Sequence, residues 1–99
     1  MVEMDISKEY ALQGVVERIE PRKEFMAGSV PMESQLLVVM VRNGRINEFI
    51  PIEFYNQRIG LLRGVTAGKE VRVSFKVKGK MSKNSERAWI TFEAVNLLS

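Results

Sequence analysis

Two kinds of side chain point to shared chemistry: a dense run of bases and a few aromatics of outward parity. Residues 69–83 hold six bases (Lys69, Arg72, Lys76, Lys78, Lys80, Lys83) and one acid (Glu70), a net +5. Arg87 follows, and Arg42 and Arg45 flank an Asn43-Gly44 pair. Cationic side chains in a row neutralise the phosphates of a polyanion. Phe49 and Trp89 supply flat π faces, on which unpaired bases stack at about 1–3 kcal/mol per base.

Other chemistries are poorly supplied. The 99 residues include no His and no Cys. That removes imidazole as a base, proton shuttle or metal ligand, and it removes thiolate nucleophiles and disulfides. Glu48 and Glu53 fall on opposite parities of one strand, and Glu17 and Glu20 are also of opposite parity, so neither pair reads as an acid/base couple. The six methionines are scattered and form no soft-metal array. Gly60, Gly64 and Gly68 are spaced by four, but no Gly-Lys-Ser/Thr ends them, so no phosphate-cradling loop is present. The expectation is a binding protein: no enzyme, no cofactor, no metal.

The net charge of +3 conceals a polarity along the chain. Residues 1–33 carry four bases and seven acids, a net −3; residues 34–99 carry eleven bases and five acids, a net +6. Concentrated positive charge suits a polyanion. The alternative is a lysine-rich strand face that keeps an edge soluble. The N-terminal MVEMDISK has early acids and no apolar stretch, unlike a signal peptide. The longest apolar run, Leu36–Val41, is far short of the ~20 residues that span a bilayer. A cytoplasmic protein without membrane association is therefore expected.

The elements that must position these residues are mostly strands. Alternation marks Tyr10–Ile19, residues 34–43, Arg45–Phe54, Glu70–Gly79 and Ala88–Leu97. Gly14 within the first strand implies a bulge or sharp bend, and Pro51 in the third implies an edge or bulge. Residues 21–33, with two prolines and a glycine, read as a long loop. Asn43-Gly44 reads as a type I′ hairpin turn. Tyr55, Ile59 and Leu62 recur at helical spacing, which predicts one short helix over residues 55–63. Residues 80–87 read as a polar, basic loop. The chain is one domain, residues 1–99. It is mainly β: a five-stranded OB-fold Greek-key barrel with one short helix between strands three and four.

The stretch Asn47-Glu-Phe-Ile-Pro-Ile-Glu-Phe-Tyr-Asn56 leads into Gln57–Leu62, then Gly64-Val-Thr-Ala-Gly68-Lys-Glu-Val71 and Val73–Gly79. With the closing Trp89-Ile-Thr-Phe-Glu-Ala-Val95, it resembles the bacterial single-stranded DNA-binding protein family. The nearest likeness is to short members such as the primosomal replication protein and small bacterial OB domains. The shared pattern is an aromatic-led strand, a short helix with paired leucines, and a Gly-led turn into a strand ending in Gly. It covers roughly residues 9–97. Full-length members carry a disordered acidic tail, whereas this sequence stops at Asn96-Leu-Leu-Ser99, so the tail-less type is expected.

The resemblance implies a non-catalytic, non-sequence-specific binder of single-stranded DNA, or of RNA. Phe49 sits where the family has a stacking aromatic. The candidate site is Phe49 and Trp89 for stacking, with Arg45, Arg72, Lys76, Lys78, Lys80, Lys83 and Arg87 for phosphates. Phe49 alternatively packs on the helix or a second subunit, and Trp89 at an interface. Tyr55 and Phe25 read mainly as structural residues. Leu36–Val41 is apolar on both parities, which suggests a homo-oligomer, dimer or tetramer, joined through that strand. The competing function is an OB-type oligomerisation or protein-interaction module with no nucleic-acid ligand.

Overall fold

In the computed structural model, residues 5–82 and 84–99 are described. Six strands run in chain order: β1 (Tyr10–Ile19), β2 (Lys23–Ala27), β3 (Val30–Asn43), β4 (Ile46–Tyr55), β5 (Glu70–Met81) and β6 (Ala88–Leu98). A 3-10 helix, Asn56–Leu62, joins β4 to β5. The sheet order is β1-β5-β6-β4-β3-β2, and β1 also pairs with β3. Five strands thus close into an OB-like barrel, and β2 lies outside the ring.

β1 closes the ring by changing partners midway. Tyr10–Val15 pair with β5, then Val15–Ile19 pair with β3, with an irregularity between Val16 and Arg18. The bend brings backbones together at Gly14. A Cβ there would collide with the Met40 carbonyl oxygen and lie 2.8 Å from Val39 Cγ1.

Inward parities fill the barrel. Val16, Leu37, Val39, Ile52, Phe54, Val71, Val73, Phe75, Val77, Ala94 and Leu97 form the core with Ile59, Leu62 and Val65. The 3-10 helix contributes Ile59 and Leu62, three residues apart, and three residues per turn puts both on one side. The helix expected between these strands is therefore real but tighter than α. Seven residues cannot repay α-helix nucleation alone, and Asn56 opens the segment at φ 52 with no side-chain cap.

Three local readings change. Residues 21–33 are not a loop: β2 and the start of β3 form a hairpin, with Lys23 opposite Ser34 and Ala27 opposite Val30. The β3–β4 turn is shifted by one residue. Asn43 pairs with Ile46, so the two-residue loop is Gly44–Arg45, and Gly44 alone has positive φ (63°). A glycine at the first central position is the type II′ pattern, not I′. β5 and β6 continue to Met81 and Ala88, so Lys80 is a strand residue.

The molecule is broad and thin, 40 × 39 × 22 Å, because two hairpins leave the barrel. One is the β2–β3 arm. The other is the outer part of β5–β6, beyond the last core pair Val77–Phe92. Ile90 has inward parity yet is 69% exposed, since the barrel has ended at its level. Among the described residues, no helix is long and apolar enough to cross a membrane, and no group of three acidic residues could hold a metal ion.

Candidate nucleic-acid interface

Antiparallel partners face the same side of a sheet, so register assigns the outer surface. On β3 and β4 the outward pairs are Leu36–Glu53, Val38–Pro51 and Met40–Phe49. On β5 and β6 they are Lys76–Glu93, Lys78–Thr91 and Lys80–Trp89. β4 and β6 are parallel neighbours, but they pair only at Glu53–Glu93. Phe49 and Trp89 each precede that pair by four residues. Both face outward, Phe49 from the barrel wall and Trp89 from the part of β6 that has left it. Phe49 is 53% exposed and Trp89 45% exposed.

On the N-terminal side of the Glu53–Glu93 pair, β4 and β6 part. The opening is a cleft of about 420 Å³ lined by Leu36, Pro51, Glu53, Ile90, Thr91 and Phe92. Pro51 has no β6 partner, so its missing N–H costs no bond in that ladder. Phe92 stacks on Phe75 at 4.8 Å and closes the floor toward the core.

The β5–β6 arm gathers the bases. Lys76, Lys78 and Lys80 stand on alternate positions of one row, with Trp89 opposite Lys80. The arm's end is braced by its own backbone: the Ser82 N–H donates to the Arg87 carbonyl at 2.8 Å, and the Arg87 N–H donates to Ser82 Oγ at 3.1 Å. Arg87 thus stands immediately before β6 at the end of this arm. Among the described residues the ion pairs are Arg18–Glu20 and Arg22–Glu33, so the arm's described cations are uncommitted.

The remaining candidates are dispersed. Arg72 lies on the same strand eight residues from Lys80, about 27 Å away along an extended chain, next to Gln13 and Leu98. Arg45 occupies the β3–β4 turn, on the Phe49 side. Lys83 lies outside the described residues.

A second groove, about 530 Å³, lies between the two arms. Phe25, Ala27 and Met32 come from the β2–β3 arm, Lys80 and Glu93 from β5 and β6, and Tyr55 to Arg58 from the barrel end. Phe25 meets the Tyr55 ring edge-on, with centroids 6.3 Å apart. Asn56 Oδ1 accepts the Glu33 N–H at 3.0 Å, and Arg22 pairs with Glu33, which pins the base of the arm. Phe25 and Tyr55 do hold local structure, as their sequence setting suggests, yet both also line this groove. Nothing local to residues 21–33 marks them as a groove wall, because the wall forms only when β2 pairs with β3.

The centre of the outer face is acidic, which strand parity alone conceals. Glu53 and Glu93, forty residues apart, are cross-strand partners and both half-buried. Burial pushes the Glu53 carboxyl above its ordinary value, and Glu20 adds to the rise, while Lys23 and Lys80 pull it back. Burial likewise raises the Tyr55 phenol, with Glu53 and Glu93 adding to it. The lysines therefore flank an interior strip of carboxylate rather than continuing a uniformly positive track.

No family model matches the chain, and no curated protein matches it. Among solved structures it is similar to the SSB domain of a protein from Synechococcus sp., with a TM-score of 0.63 and 10% sequence identity. That likeness covers 98% of this chain and 97% of the other. At this identity it shows the fold: an OB-like barrel of the kind found in an SSB domain.

Proposed function

We propose that this chain binds single-stranded DNA, without base-sequence specificity and without catalysis. One observation carries the reading. Two exposed aromatic rings, Phe49 on β4 and Trp89 on β6, face outward, and the Lys76–Lys78–Lys80 row lies beside the second of them. Rings with a phosphate-neutralising row are the two components of strand binding. The fold likeness to an SSB domain supports the same reading. Strands exposed during replication would be the natural ligand, and assembly of copies would extend the track.

Trp89 is the chain's one tryptophan, so its emission reports directly on the site. Oligo-dT added at low salt quenches it, and log–log affinity falls with salt at about −0.7 per phosphate neutralised. Oligo-rU in the same titration separates DNA from RNA preference. Absence of binding at low salt refutes the proposal.

A second reading, an interface between copies, has an observation of its own. Val38 is only 5% exposed, and its register neighbours Arg18 and Pro51 lie within the same chain. The two-sided apolarity of Leu36–Val41 is thus partly satisfied internally. Leu36 and Met40 on that outer face remain half-buried beside exposed Phe49. A dimer mass that persists when Phe49→Ser abolishes strand binding would separate the two roles of this surface.

A further inference from the structure

A surface that only tracked phosphates would not place two carboxylates at its centre. Glu93 lines the groove between the arms, alongside Phe25, Tyr55, Arg58 and Lys80. Glu53, its cross-strand partner, lines the neighbouring cleft. The two acids stand on the divide between both depressions. Neither makes a hydrogen bond or an ion pair among the described residues, although Lys23 and Lys80 are close enough to pull the Glu53 carboxyl down. Their oxygens are therefore acceptors with open lone pairs, those of Glu93 set among ring faces and amide side chains (Asn56, Gln57) and those of Glu53 at the edge of the neighbouring cleft.

A phosphate entering here would meet like charge. A base edge would not. Carboxylates accept hydrogen bonds from exocyclic amino groups, and charge-assisted bonds are the stronger kind. Guanine offers N1–H and N2–H₂ side by side, which a carboxylate oxygen pair can take together. Cytosine and adenine offer one amino group each. Thymine offers a single N3–H between two carbonyl oxygens, whose lone pairs face the carboxylate unfavourably. The flat walls suit the ring, and Arg58 and Lys80 at the same groove suit the flanking phosphates.

We infer that the groove between the two arms takes bases inward and selects those bearing an amino group, guanine above all, with Glu93 and Glu53 as the selecting acceptors. This rests on the single-strand-binding reading above and deepens it. The phosphates then run outward along Lys76, Lys78 and Lys80, and binding is weakly base-selective rather than indifferent.

The test uses the full chain and three 12-mers: oligo-dT, oligo-dT with one central guanine, and oligo-dT with one central hypoxanthine, which lacks only the amino group. Competition against a labelled oligo-dT at fixed low salt gives the ratios. The guanine strand should compete about tenfold better than oligo-dT, within the discrimination a good bidentate pair provides, with hypoxanthine between them. In the double variant Glu53→Gln, Glu93→Gln the three strands should fall within twofold of one another. Oligo-dT itself should bind that variant no more weakly than it binds the native protein, because like charge has been removed. Three equal affinities in the native protein overturn the selectivity and leave strand binding standing. Failure of all three strands to bind overturns both. The comparison on the native protein needs no variant, so an unfolded double variant would not shield the inference.

Discussion

Phe49→Ala separates a binding surface from a packing surface, because the two roles differ in the property they affect and in size. The ring is about half exposed, so truncation removes only part of a burial contribution. Full burial of a phenylalanine is worth about 1.5–3 kcal/mol, which leaves about 1 kcal/mol for the covered half. In a domain of this size that lowers the melting temperature by about 4–8 °C, and the protein stays folded. Affinity should suffer more. Loss of one stacked base costs about 1–3 kcal/mol, or about a 5- to 150-fold weaker association. Phe54→Ala is the matched contrast: the ring is fully buried, and its loss should cost about 3–5 kcal/mol of stability. The assay pairs a thermal melt with an oligo-dT titration followed through Trp89 emission at low salt. A Phe49→Ala protein that melts a few degrees lower and binds within twofold of the native chain refutes the stacking role. A loss of stability near that of Phe54→Ala would instead make Phe49 a packing residue.

Replacing Lys76, Lys78 and Lys80 together by alanine should reduce the salt slope of oligo-dT binding by about 2, at about 0.7 per lost phosphate contact, as read from titrations over a tenfold salt range. Gly14→Val should destabilise the fold by about 2 kcal/mol or more, since its Cβ would press on the Met40 carbonyl where β1 leaves β5 for β3; urea midpoints measure this. Glu53 titrates above its ordinary value because it is buried, so the native state keeps this proton to higher pH than the unfolded chain does. Its contribution to stability is complete at low pH and falls as pH rises from the unfolded value through the native one. Glu53→Gln should flatten that fall in denaturation midpoints taken between about pH 4 and 7.

How far the sequence discloses this molecule depends on whether each stretch is buried on one side. β5 is the clearest case: Val71, Val73, Phe75 and Val77 turn inward and are buried, so their spacing states both the strand and its face. The same logic places Phe49 outward, because Ile50, Ile52 and Phe54 point in. It fails where neither side is buried. Every residue of Lys23–Ala27 is exposed, so no alternation records that it is a strand. Lys80 and Met81 are exposed for the same reason, past the end of the barrel. The turn at Gly44 slipped by one residue because Asn-Gly and Gly-Arg pairs both tolerate a tight hairpin; the strand register, set by Leu37 and Val39 facing Ile52 and Ile50, decides between them. The Glu53–Glu93 encounter is a matter of closure. Two residues forty positions apart meet only when β6 docks on β4, and no local pattern encodes that.

That docking is slight, and it has a dynamic consequence. Every other neighbour in the ring is held by a ladder of several pairs, whereas β4 and β6 share one. The barrel is therefore a strip of sheet fastened by a clasp. Local openings follow the least-bonded boundary, so amides of β4 that look toward β6 should exchange with solvent hydrogen far sooner than those in the β3–β4 ladder. With the clasp released, β4 and β6 can move apart without breaking any other ladder, and the width of the cleft between them becomes adjustable.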